Sequence, residues 1–124
     1  MKILALDYGS ARTGIAVTDP TGTLARPLGV APRVGTAKGL QGLLRTIAEE
    51  SPERVVVGLP LTLRGAEGEQ ARETLEFVET LRGNVGVPVE TYDERFTSSL
   101  AGGDDARAAA YLLSSYLEWL GATT

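Results

Sequence analysis

The stretch Ile3-Leu4-Ala5-Leu6-Asp7-Tyr8-Gly9-Ser10, followed by Gly14-Ile15-Ala16-Val17-Thr18-Asp19-Pro20, decides how the rest of the chain is read. Ile3 to Leu6 is a short apolar run that ends on an acid, with Tyr8-Gly9-Ser10 behind it. That order predicts a buried strand running into a turn. Gly14 to Thr18 predicts a second strand, closed by the turn signals Asp19-Pro20 and Thr21-Gly22. Leu24 to Val30 reads as a third. Pro27 inside it cannot donate to a hydrogen-bond ladder, which assigns this strand to a sheet edge. Three short strands with brief connections predict an antiparallel meander.

Beyond the meander the hydrophobic period changes. Leu40, Leu43, Leu44 and Ile47 recur at i, i+3, i+4 and i+7, which predicts a helix from about Thr36 to Glu50. Ser51-Pro52 stops it, and Val55-Val56-Val57 is a β-branched run suited to a central strand. A second helix is expected over Glu67 to Leu81, burying Ala71, Leu75, Val78 and Leu81. Val87 to Tyr92 predicts a fifth strand ending at Asp93-Glu94. The last helix should start near Asp104, after Gly102-Gly103, and bury Ala109, Leu112, Leu113, Tyr116, Leu117 and Leu120. A meander followed by crossover helices implies a five-stranded mixed sheet, with strands four and five parallel to strand one. The carboxyl ends of strands one, four and five then share one edge, where open α/β sheets usually bind ligands.

Composition bounds the chemistry. At 124 residues the chain is read as one α/β domain spanning 1–124. It has no histidine and no cysteine, which excludes Ser-His-Asp triads, Cys-His pairs, disulfides and the usual zinc sites. Carboxylates, by contrast, are plentiful, and oxygen-rich sites suit hard cations such as Mg2+ or Mn2+. A net charge of −4 argues against a protein that coats nucleic acid, while leaving room for a local basic rim. No apolar run reaches the length of a membrane span, and Met1-Lys2-Ile3 passes into a strand without a signal-peptide pattern. Both point to a cytoplasmic protein without a membrane partner.

On the predicted edge lie Asp7, the loop Gly58-Leu59-Pro60, and Asp93-Glu94-Arg95. The last helix brings Asp105 toward them. Acids converging from distant segments can hold divalent cations for phosphodiester hydrolysis. Each residue also has a plainer role. Asp7 can cap a turn, Glu94 can pair with Arg95 or face solvent, and Gly58-Leu59-Pro60 can simply end a strand. Asp104 and Asp105 sit where aspartate is favoured at a helix start, and for Asp104 that role is preferred.

Four segments together resemble the YqgF/RuvX family. Leu4 to Ser10 with Gly14 to Asp19 is similar to its first motif, and Val56 to Leu61 with Gly65 to Ala71 to its second. Asp93-Glu94-Arg95-Phe96-Thr97-Ser98 is similar to the third. Asp105 followed by Ala108-Ala109 and Leu112-Leu113 is similar to the last. The resemblance implies an RNase H-like fold and a nuclease dependent on Mg2+ or Mn2+. It makes Asp7 the central metal ligand, with Glu94 (Asp93 being the adjacent alternative) and Asp105 completing the site. The family is associated with maturation of 16S rRNA precursors, and its kinship with junction resolvases implies branched DNA as another substrate.

The family usually carries a longer, often basic segment before its last aspartate, so a smaller basic surface is expected here. Arg12, Arg64 and Arg95, on loops at the predicted edge, are the candidates for phosphate contacts, although surface arginines are commonly just solvated. The expected assembly is a monomer or homodimer. Two other functions fit parts of the pattern. An ATP-binding domain of the actin and sugar-kinase type would use Asp7-Tyr8-Gly9-Ser10, but such proteins clamp nucleotide between two domains. A non-catalytic nucleic-acid or protein-binding module would keep the fold alone.

Overall fold

The computed structural model describes residues 1–60, 68–93 and 105–123. Its strands are β1 (Ile3–Asp7), β2 (Arg12–Thr18), β3 (Ala25–Pro32), β4 (Arg54–Leu59) and β5 (Val89–Asp93). Helices α1 (Ala37–Glu50) and α2 (Glu69–Arg82) flank β4, and α3 (Asp105–Thr123) follows β5. The sheet order is β3-β2-β1-β4-β5. β2 runs antiparallel to β1 and β3, whereas β4 and β5 run parallel to β1. This is the mixed five-stranded sheet that the change of period predicts.

Alternation along the strands sorts two cores onto opposite faces. Leu4, Leu6, Ile15, Val55, Val57 and Val89 pack with Leu43, Ile47, Phe77, Val78 and Leu81 of α1 and α2. Ile3, Ala5, Ala16 and Val56 meet Ala109, Leu112, Leu113 and Tyr116 of α3 on the other side. β1 and β4 carry apolar side chains on both faces because helices cover both. Pro27 lies on the edge strand, as expected. It pairs with Ala16 next to a register shift that skips Leu28.

Several expectations need correction. β3 starts later and runs further than Leu24 to Val30, because its extent is set by pairing with Arg12 to Thr18. Leu24 belongs instead to the preceding turn, where its N–H and that of Thr23 donate to the Asp19 carboxylate. In α2, Leu75 is only partly buried, while Thr74 and Phe77 are inside. The Thr74 hydroxyl donates to the Gln70 carbonyl at 2.8 Å, which satisfies it and permits its burial. Leu117 and Leu120 are likewise only partly buried against the α3-side core. α1 matches its expected span: Thr36 caps it through Gly39 N–H, and Ser51 ends it in a left-handed conformation. The expected starts at Glu67 and Asp104 lie outside the described residues.

Among the described residues, no helix is long and apolar enough to cross a membrane.

Candidate active site

Asp7 is the last residue of β1, and its position in the alternation puts it on the same face as Ile3 and Ala5, toward α3. Tyr8 turns the other way. Its ring stacks on Phe77 with centroids 4.7 Å apart, and its hydroxyl donates to Glu73 Oε1 at 2.9 Å. Burial, helped by the acceptor Glu73, pushes the Tyr8 hydroxyl up to about 12, so it keeps the proton it donates. The residue next to Asp7 is therefore anchored to α2.

Asp105 opens α3 from the opposite side. Burial, then the neighbouring charge of Asp105, pushes the Asp7 carboxyl up from 3.8 to about 6. Two acids from opposite ends of the chain thus face one another at the carboxyl edge of the sheet. Arg12, at the start of β2, partly offsets their charge through an ion pair between its Nε and Asp105 Oδ2 at 3.3 Å.

The approach of α3 depends on a residue whose role was not legible in the sequence. Gly14 lies directly across the ladder from Asp7. A Cβ at Gly14 would overlap the carbonyl oxygen of Asp105, so the missing side chain is what lets the first turn of α3 rest on β2. An isolated glycine in a strand pattern is a signal of close backbone approach, and it was the only signal available.

The expected site residues fall into three groups. Asp7, Asp105 and Arg12 come together. Asp93 ends β5 at the same sheet edge, but Glu90 and Tyr92 occupy the α3 side of that strand, with the Tyr116 hydroxyl 3.3 Å from Glu90. Asp93 shares the parity of Val89 and so belongs to the face away from Asp7. Glu94, Arg64 and Arg95 lie outside the described residues. Gly58 and Leu59 end β4, as expected. Among the described residues, no three metal-ligating side chains gather in one place. The Asp7–Asp105 pair nonetheless fits a hard divalent cation: its donors are oxygens only, and a cation would offset both the burial and the neighbouring Asp105 charge that raise Asp7.

Residues 1–104 match the RuvX family, described as Holliday junction resolvase. A protein of Sulfurihydrogenibium sp. (strain YO3AOP1) named "Putative pre-16S rRNA nuclease" is 40% identical, over 96% of this chain and 91% of that protein. One of the same name from Desulforudis audaxviator (strain MP104C) is 39% identical, over 94% of each chain. Among solved structures, T. thermophilus RuvC in complex with Holliday junction substrate superposes with a TM-score of 0.62 at 21% identity, covering 100% of this chain and 98% of that one. That likeness establishes the RNase H-like fold.

Proposed function

The chain belongs to the RuvX family, and on that premise we propose that it is a nuclease using Mg2+ or Mn2+ to hydrolyse phosphodiester bonds. The observation that carries this reading is the meeting of Asp7 and Asp105, in a chain that has no histidine to serve as a general base. Asp7 and Asp105 would hold the cation, with Glu94 as the third acid. Glu94 is preferred to Asp93 because Asp93 has the parity of the opposite face. A bound divalent cation supplies an activated water and neutralises charge building on the phosphate. Tyr8 holds the end of β1 in place, and Gly14 admits α3. Arg64 and Arg95, which follow β4 and β5 in the sequence, are proposed to grip phosphate.

The substrate we favour is precursor 16S rRNA, because the relatives at about 40% identity carry that name. Branched DNA is the second reading, favoured by the family description and by the junction-bound RuvC. We propose one RNase H-like domain acting in the cytoplasm as a monomer or homodimer. Labelled precursor-rRNA fragments and four-way DNA junctions, each incubated with Mg2+, with Mn2+ or with excess chelator, test the proposal. Cleavage should require the cation. Cutting that survives in chelator would refute the metal assignment, and a failure to cut any substrate would favour a binding module.

Arg12 provides a test that does not depend on turnover. Its side chain is 68% exposed, so its ion pair contributes little to stability and Arg12→Ala should leave the melting temperature nearly unchanged. Removing a cation from beside Asp105 should strengthen Mn2+ binding by about 1 kcal/mol, roughly fivefold in Kd by calorimetry. Weaker Mn2+ binding would instead mean that Arg12 is needed to hold Asp105 in position.

A further inference from the structure

A second charged feature starts at the same sheet edge and leads away from it. Arg33 follows directly on β3, and its N–H donates to the Ala11 carbonyl at 3.0 Å, beside Arg12. From there an open groove of about 750 Å³ runs between the exposed edge of the sheet and α1, far more space than a single phosphate fills. Lys38, Gln41, Gly42 and Arg45 line it at i, i+3, i+4 and i+7, and so form one stripe of α1. Arg33, Lys38, Gln41 and Arg45 are exposed, and Val30 of the edge strand adds an apolar wall.

A charged helix face is commonly just solvated, but two observations set this one apart. Lys2, Arg12, Arg54 and Arg82 each lie within 4 Å of a carboxylate. Among the described residues no such ion pair engages Arg33, Lys38 or Arg45; Arg26 and Arg72 have none either but do not line this groove, and α1 has no acid before Glu49. Three cations therefore line one groove of a protein whose net charge is −4. The groove on the other side of α1 is lined by Glu73 and Glu76 and would repel an anion.

Gly42 is the second observation. Glycine weakens a helix interior, and no neighbouring atom lies within 4 Å of where its Cβ would stand. Packing does not require this glycine. Its effect is to leave the floor of the stripe clear between Lys38 and Arg45, whose Cα atoms are about 10 Å apart along the axis at 1.5 Å rise per residue.

We propose that this groove carries the sugar-phosphate backbone of the nucleic acid as it leaves the Asp7–Asp105 edge, with Arg33, Lys38 and Arg45 contacting phosphates and Gly42 admitting the strand. The proposal rests on the nuclease reading. Binding of a fluorescein-labelled four-way DNA junction and a labelled RNA duplex, followed by anisotropy in chelator from about 50 to 200 mM salt, tests it. Combined Arg33→Gln, Lys38→Gln and Arg45→Gln should lower the salt slope by about 2 to 3, at about 0.9 per duplex DNA phosphate contact and somewhat less on single strands. KM should rise at least about tenfold at the low-salt end while kcat and the melting temperature hold. Gly42→Gln should melt no lower than wild type, since glutamine is the better helix former, yet bind several-fold more weakly.

An unchanged slope in the triple variant, with wild type still cutting in Mg2+ or Mn2+, overturns the groove and leaves the nuclease reading intact. Wild type that binds neither probe and cuts no substrate overturns both. Gly42→Gln binding like wild type overturns the close approach at that glycine.

Discussion

Asp7→Asn should abolish cleavage and at the same time make the protein harder to melt at neutral pH. On the proposed role of Asp7 as a ligand, its loss removes several kcal/mol of stabilisation of transition-state charge, so a loss of roughly 10³-fold or more is expected. The gain in stability follows from the raised carboxyl. Asp7 titrates near 6 in the folded protein against an ordinary 3.8, so the folded state binds its proton more tightly than the unfolded chain does. For a raised acid, stability is highest below pH 4 and declines as the pH rises through 6. Above that, the ionised group costs about 1–2 kcal/mol after allowance for its partial contact with water. Asparagine removes this cost, so the mutant should melt roughly 3–10 °C higher at pH 7.5 and converge with wild type near pH 4. Thermal melts across that range, with and without Mn2+, check it. If Asp7 only capped the turn, the mutant would melt lower and keep the full stabilisation by Mn2+.

The parts of this molecule that were legible in its sequence are those fixed by local period. Ile3 to Asp7 alternates between two helical layers, and that same alternation aims Asp7 at α3. Pro27 announces the edge because a missing N–H is a property of one residue. α1 shows its stripe and both of its ends, Thr36 and Ser51. The illegible parts depend on contacts between distant segments. Thr74 and Phe77 displace Leu75 from the core because a hydroxyl can return its hydrogen bond to the preceding turn and because Phe77 has Tyr8 to stack against. The ends of β3 follow from its partner strand rather than from its own composition. Lys38 and Arg45 share one stripe of α1 by their spacing, but only the packing of α1 against the sheet edge brings Arg33 and Val30 to the same groove. The choice between Asp93 and Glu94 is open in the sequence, and the parity of β5 places Asp93 on the face away from Asp7.

Gly14→Ala should be far more damaging than the same change at Gly29 of the neighbouring strand. The backbone at Gly14 is not in the left-handed region, so conformation alone would favour alanine by about 0.4–1 kcal/mol through the unfolded state. Packing opposes this more strongly. The added methyl would meet the Asp105 carbonyl and crowd the Ala106 nitrogen at 3.1 Å, and both belong to helix backbone, which cannot swing aside as a flexible side chain can. Overpacking of this kind costs about 1–3 kcal/mol, and moving the first turn of α3 also loosens the core beneath it at Ala109 and Leu112. A net loss of about 1–2 kcal/mol is expected, or roughly 3–10 °C in melting temperature. Asp105 would move with the helix, so the stabilisation by Mn2+ should fall as well. Gly29→Ala on β3 is the matched control: nothing lies within 4 Å of its added methyl and its backbone needs no positive φ, so it should melt as wild type or slightly higher. If Gly14→Ala behaves like Gly29→Ala in melting and in Mn2+ response, the start of α3 does not rest on β2. The pairing of Asp105 with Asp7 would then have to be given up.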